Sequence, residues 1–90
     1  MSIAFLNDSY MPITEAKISP MDRGFLFGDG IYEVIPSYEG KLLGFNGHIT
    51  RMQEGLDGIG LGLQWTREDW EVLCTKLAGE NGNGNLGIYL

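Results

Sequence analysis

The 90 residues carry six basic and twelve acidic side chains, and the formal net charge of -6 is the wrong sign for binding a phosphate backbone, so we expect no nucleic-acid partner. No apolar run approaches the roughly 20 residues of a membrane helix, and the first residues lack the basic start of a signal peptide, so we expect no membrane association. Cys74 has no cysteine partner for an internal disulfide, which fits a reducing cytoplasm.

The first predicted element is a β-hairpin. Short apolar runs at 3–6 and 10–13 are separated by the turn formers Asn7, Asp8 and Ser9. Pro12 indicates that the second strand is short or lies at an edge. Residues 17–30 contain a proline and three glycines, and we predict a compact loop there, not a helix.

A second hairpin is predicted from residue 31 onwards. Residues 31–38 are rich in β-branched and aromatic side chains, and Glu39 and Gly40 supply a turn into a strand near residues 41–45. Because strand side chains alternate, we expect Tyr32 and Val34 on one face and Glu33 on the other.

Two helices follow the second hairpin. The first is predicted to begin at Asn46 as its N-cap, with apolar positions at helical spacing at Ile49, Met52, Leu56 and Ile59. Gly55 and Gly58 each cost about 1 kcal/mol relative to alanine, so we expect this helix to fray after Leu56.

The second helix has clear end signals. Thr66 is the expected N-cap, Trp65 can pack on Trp70 as a hydrophobic staple, and Gly79 is expected to end the helix. Its apolar stripe consists of Trp70, Leu73, Cys74, Leu77 and Ala78. A loop of Asn and Gly residues and a strand starting at residue 86 follow. The sequence therefore predicts an α+β fold, a mainly antiparallel sheet of two hairpins and a terminal strand packed with two helices.

Several motifs are weaker than they look. Residues 82–87 match GxGxxG, but the match follows a helix and precedes a strand, the reverse of a dinucleotide-binding turn, and a flexible turn is the better interpretation. His48 has no cysteine or histidine partner at metal-ligand spacing, so we expect no metal site. The sequence contains no Gly-x-Ser-x-Gly elbow, so it does not indicate a hydrolase. We expect Asp22, Arg23 and Asp29 to hold loop geometry.

One constellation of residues is more specific. It consists of an Asp-Arg-Gly loop at 22–24, a Phe-Gly-Asp-Gly turn at 27–30, a Tyr-Glu-Val strand at 32–34, and the His-Ile-Thr-Arg segment at 48–51. In this order the elements resemble the N-terminal signature of the class IV, or fold-type IV, pyridoxal-phosphate aminotransferases. Tyr32 and Val34 resemble the D-amino-acid branch of that family more than the branched-chain branch.

The resemblance implies roles for four residues. Arg51 would bind the phosphate of pyridoxal 5'-phosphate, and a guanidinium fork suits phosphate oxygens. Tyr32 and Val34 would line the substrate pocket, although such residues in a strand are more often core. Phe27 would reach the pocket of a neighbouring subunit, with an ordinary buried phenylalanine as an equal alternative.

The resemblance also implies what these residues lack. Residues 1–90 would form the N-terminal small domain, while the lysine that holds the cofactor as a Schiff base belongs to a following domain. Lys17, Lys41 and Lys76 lack the apolar setting that lowers a lysine pKa, so we expect the chain to be inactive alone.

The implied parent is a homo-oligomer that exchanges an amino group between a D-amino acid such as D-alanine and a 2-oxo acid. The alternatives are a fragment of an aminodeoxychorismate lyase or of a branched-chain aminotransferase, and a non-catalytic module that associates with itself.

Overall fold

The computed structural model describes residues 2–90 and has an α+β architecture, as predicted. The elements in chain order are β1 (Ile3–Leu6), β2 (Ser9–Pro12), a short 3-10 helix (Ile13–Glu15), α1 (Arg23–Phe27), β3 (Val34–Tyr38), β4 (Lys41–Leu42), α2 (Phe45–Gly58), α3 (Arg67–Glu80) and β5 (Leu86–Tyr89). None of the helices within this part of the chain has the length and apolar character needed to cross a membrane.

The first hairpin is confirmed. Strands β1 and β2 pair antiparallel, and the two turn residues Asn7 and Asp8 have φ values of 49° and 68°. Asparagine and aspartate tolerate this left-handed conformation, which two-residue hairpin turns require. Ser9, expected in the turn, is the first residue of β2. Side-chain bonds of 2.9 and 3.1 Å between Asn81 and the backbone of Ile3 tie the hairpin to the end of α3.

The second hairpin and the last strand form a separate three-stranded antiparallel sheet in the order β4-β3-β5. The predicted antiparallel pairing is therefore present, but the strands divide into two sheets. In the central strand β3, Val34 lies opposite Tyr89 and Ile35 opposite Ile88. Ile35 and Ile88 are buried and face the helices.

The prediction of a loop without helix at 17–30 is wrong over five residues. The Asp22 side chain accepts a hydrogen bond of 2.9 Å from the Gly24 N–H and caps α1, and Gly28 ends it with φ 61°. Arg23 pairs with Asp29 and donates to the Ile59 carbonyl at 3.1 Å. The charges hold the loop geometry, as expected, and they also anchor it to the end of α2.

Helix α2 differs from its prediction at both ends. It begins at Phe45 after Gly44, which has φ 64°, so Asn46 is not the N-cap. It continues through Leu56 to Gly58, so the predicted fraying is wrong. Packing overrides the weak helix propensity of glycine here, because Gly55 lies against Ile31. The helical hydrogen bonds also continue past this position, since the Gly55 carbonyl accepts from the Ile59 N–H at 3.1 Å.

Helix α3 is confirmed, with one residue beyond Gly79. Thr66 and Asp69 form a reciprocal capping box with bonds of 2.8 and 3.1 Å, and the rings of Trp65 and Trp70 lie 4.8 Å apart. The core between α2, α3 and the three-stranded sheet consists of Ile35, Ile49, Met52, Leu56, Trp70, Leu73, Cys74, Ala78 and Ile88. Residues 81–85 connect α3 to β5, and the GxGxxG match at 82–87 runs from this connection into β5, so a helix precedes the match and a strand follows, the order that argues against dinucleotide binding.

Candidate functional site

A buried carboxylate lies at the point where β3 meets α2. Glu33 immediately precedes β3, and its side chain is 6% exposed. Its backbone N–H and carbonyl both pair with Leu90, at 3.0 and 2.8 Å, so the sheet ladder extends to this residue. Burying an ionised carboxylate is costly unless hydrogen-bond donors surround it.

Helix α2 supplies those donors. The Arg51 Nε donates to Glu33 Oε2 at 2.6 Å, and the Arg51 Nη2 donates to Oε1 at 2.7 Å. His48 Nδ1 bonds to Oε1 at 2.7 Å. Residues three apart share one face of a helix, so His48 and Arg51 reach the same carboxylate. We call Glu33, His48 and Arg51 the Glu33 cluster.

Gly55, one helical turn beyond Arg51, sets how closely α2 approaches this segment. A Cβ at position 55 would lie 2.5 Å from Cδ1 and 3.0 Å from Cγ2 of Ile31. Such distances are far inside van der Waals contact. The missing side chain therefore permits the close approach that brings the donors of α2 to Glu33.

Within the Glu33 cluster, Glu33 and Arg51 form a charged pair at neutral pH. Hydrogen bonds from Arg51 first, and then from His48, hold the pKa of Glu33 at about 2. The hydrogen bond to Glu33 and the negative charge of that carboxylate raise the pKa of Arg51.

Arg51 retains one free edge. Its side chain is 70% exposed although it binds a buried partner. Nε and Nη2 face Glu33, while Nη1 has no hydrogen-bond partner within residues 2–90. A guanidinium has five N–H donors in a planar fork, so the Nη1–Nη2 edge can still bind an anion with two bonds. The geometry fits one phosphate group.

Tyr32 and Val34 lie on the outer surface of the sheet. Val34 pairs with Tyr89, and the Tyr32 ring stacks on the Tyr89 ring with centroids 5.9 Å apart and planes 9° apart. Tyr32 and Val34 are exposed while Glu33 between them is buried. The predicted alternation is confirmed, although Tyr32 precedes the strand.

Phe27 is the last residue of α1 and is 75% exposed, so it is not buried within residues 2–90. In the described chain no hydrogen bond or aromatic ring contact joins it to Arg51, Tyr32 or Val34. Since Glu33 points away from the Tyr32 face, a single cleft reached by both Arg51 and Tyr32 stays a prediction.

Glu33 and His48 were not predicted from the sequence as members of the site. The available signal was a glutamate between Ile31 and Ile35 on the inner face of a strand, where a charged group requires partners. None of the three lysines had a sequence pattern that predicted a place in the site. Lys76 lies outside the Glu33 cluster, with its Nζ 4.2 Å from the centroid of the Tyr10 ring. Across residues 2–90, no group of three or more His, Cys, Asp or Glu side chains could hold a metal ion.

Comparison with known proteins gives relatives that share one name, D-alanine aminotransferase. The chain matches no model of a protein family. It is 41% identical over 90 residues to a D-alanine aminotransferase of Staphylococcus epidermidis, and 40% identical over 90 residues to one of Staphylococcus aureus, covering all of this chain and 32% of each relative. A D-alanine aminotransferase of Listeria innocua is 35% identical over 85 residues, 94% of this chain and 29% of the relative.

The chain thus spans about a third of the length of the curated relatives it matches. With 35–42% identity over nearly all of its residues, it belongs to the class IV pyridoxal-phosphate aminotransferases.

Proposed function

We propose that this chain is the N-terminal part of a pyridoxal-phosphate-dependent aminotransferase that acts on D-amino acids, of the D-alanine and 2-oxo acid type. The observation that carries the proposal is the match of the whole chain to proteins named D-alanine aminotransferase. The exposed edge of Arg51 supports it, because the cofactor carries a phosphate group.

The residues have distinct proposed roles. Pyridoxal 5'-phosphate, when bound, supplies the electron sink that amino-group transfer requires. Arg51 binds its phosphate group through Nη1 and Nη2. Tyr32 and Val34 form the substrate side of the pocket, and Phe27 extends toward the pocket of a second subunit in a homodimer. The exposure of all three side chains in this chain supports these roles, since each is available to a ligand or to another protein surface.

The domain organisation is part of the proposal. Residues 1–90 form the small domain, and the lysine that holds the cofactor lies outside them, in accord with the 32% of each relative that the chain covers. The chain alone is then inactive, and the complete enzyme works in the cytoplasm.

A chimaera tests the phosphate role of Arg51. In it, these 90 residues replace the matched residues of the Staphylococcus epidermidis relative. Two charge-assisted bonds of about 1.5–3 kcal/mol each set an upper limit of about 6 kcal/mol, and solvent screening at the exposed edge reduces it, so Arg51→Ala should weaken cofactor binding by roughly one to two orders of magnitude or more. The measurement is a titration of the apo-chimaera with pyridoxal 5'-phosphate.

Arg67→Ala is the matched control. Arg67 is also an exposed arginine, but its guanidinium binds Asn46 and Thr50 of α2, not Glu33. It should leave cofactor affinity near that of the unmodified chimaera. Equal affinities for Arg51→Ala and the unmodified chimaera, each measured well below its own melting temperature, would contradict the phosphate role of Arg51.

A further inference from the structure

The buried residue Glu33 is held in one position by both its backbone and its side chain. Glu33 is fixed twice: its backbone pairs with Leu90 in both directions, and its carboxylate accepts three hydrogen bonds from α2. Its position is therefore set by the sheet and independently by the helix.

Arg51 contrasts with it in exposure. A long arginine side chain with 70% exposure normally samples many rotamers, and ordering it on binding a ligand costs conformational entropy. Here the bonds from Nε and Nη2 to both Glu33 oxygens hold the guanidinium plane before any ligand arrives.

From this geometry we infer that Glu33 is a positioning residue, which fixes Arg51 so that its Nη1–Nη2 edge faces outward for a phosphate group. The inference rests on the proposed function and deepens it. His48 supports the same arrangement, because its bond to Oε1 limits rotation of the carboxylate away from Arg51. The low pKa of Glu33, about 2, keeps the carboxylate ionised in the neutral range.

Two effects of opposite sign act on a bound phosphate. The Glu33 charge repels it, whereas the preformed geometry of Arg51 favours it. Repulsion is weakened by solvent at an exposed edge, and both Glu33 oxygens are already engaged by donors. Positioning is therefore the larger effect, so removal of the Glu33 charge should weaken phosphate binding.

The test uses the 90-residue chain, NMR of the Arg51 Nε–H group, and inorganic phosphate as the probe. In the wild type this N–H should exchange slowly with water and show restricted motion. In Glu33→Gln both properties should be lost, and the dissociation constant for phosphate should rise about threefold to tenfold. Glu54→Gln is the matched control. Glu54 lies on α2, three residues from Arg51, and makes no hydrogen bond to it. The substitution removes one negative charge, as Glu33→Gln does, so this variant should behave as the wild type.

The outcomes separate the inference from the proposed function. Equal or tighter phosphate binding by Glu33→Gln, or rapid exchange of Nε–H in the wild type, would overturn the positioning role. Unchanged phosphate binding in Arg51→Ala would instead contradict the cofactor role of Arg51. If Glu33→Gln does not fold, Arg51→Lys gives the same test, since lysine keeps the charge but cannot present two edges; phosphate affinity equal to that of the wild type would overturn the inference.

Discussion

Gly55 and Gly58 are both glycines of α2, but the structure predicts that replacing each by alanine changes the free energy of unfolding in opposite directions. Both glycines cost helix propensity, up to about 1 kcal/mol each relative to alanine. At Gly58 an added Cβ meets no atom within 4 Å. Gly58→Ala should therefore raise the free energy of unfolding by up to about 1 kcal/mol.

At Gly55 the added Cβ meets Ile31 Cδ1 at 2.5 Å and Cγ2 at 3.0 Å. Overpacking of this kind costs about 1–3 kcal/mol, which offsets or exceeds the gain in propensity. Gly55→Ala should therefore be neutral to about 2 kcal/mol destabilising. The displacement of α2 should also loosen the Arg51–Glu33 contact, which lies one turn away.

Urea unfolding of both variants measures this difference, and Ile31→Val provides the decisive combination. That change deletes Cδ1 at a cost of about 0.5–1.5 kcal/mol alone. In the double variant Gly55→Ala with Ile31→Val, the two losses should partly cancel, by at least about 0.5 kcal/mol. Strict additivity, or stabilisation by Gly55→Ala alone, would refute the close-approach argument.

Three further predictions concern the capping box, the cysteine and the buried carboxylate. Thr66→Ala should lower the free energy of unfolding by about 1 kcal/mol because it removes the cap of α3, whereas Thr66→Ser should preserve it; equal urea midpoints for both would contradict the cap. Cys74 is fully buried, and burial raises its pKa to about 11, so a thiol reagent should label it only through unfolding; stoichiometric labelling of the native chain within seconds would disprove this. The pKa of Glu33 is lowered from 4.5 to about 2 in the fold, so the unfolded chain binds more protons between these values, and the stabilisation by Glu33 is present above pH 4.5 and lost as pH falls toward 2. Urea midpoints of wild type and Glu33→Gln should converge across that interval; a constant difference would show that the contribution is not ionic.

Local signals in the sequence determined the elements that were predicted well. Helix α3 has its cap, staple and apolar stripe within residues 65–80, and the first hairpin has its turn formers between two apolar runs. Both depend on neighbours in the chain. Helix α1 was missed because five residues are too short to show a helical period, although Asp22 and Gly28 are suitable end residues.

The features that the sequence did not reveal depend on contacts between distant residues. Gly55 continues α2 because Ile31, from another segment, occupies the space of its side chain. The bonds that Glu33 accepts from His48 and Arg51 span 15 and 18 residues, and they require a particular placement of α2 against the start of β3. Strand alternation predicts that Glu33 lies on the inner face of the sheet, but it does not predict which helix residues contact Glu33.

The most direct test of the central claim is amino transfer by the chimaera that carries these 90 residues in place of the matched part of the Staphylococcus epidermidis relative. Pyruvate formation from D-alanine and 2-oxoglutarate is measured beside the same reaction with L-alanine. We expect cofactor-dependent transfer with a clear preference for D-alanine. A chimaera that folds and binds pyridoxal 5'-phosphate, yet transfers no amino group from D-alanine or prefers L-alanine, would contradict it.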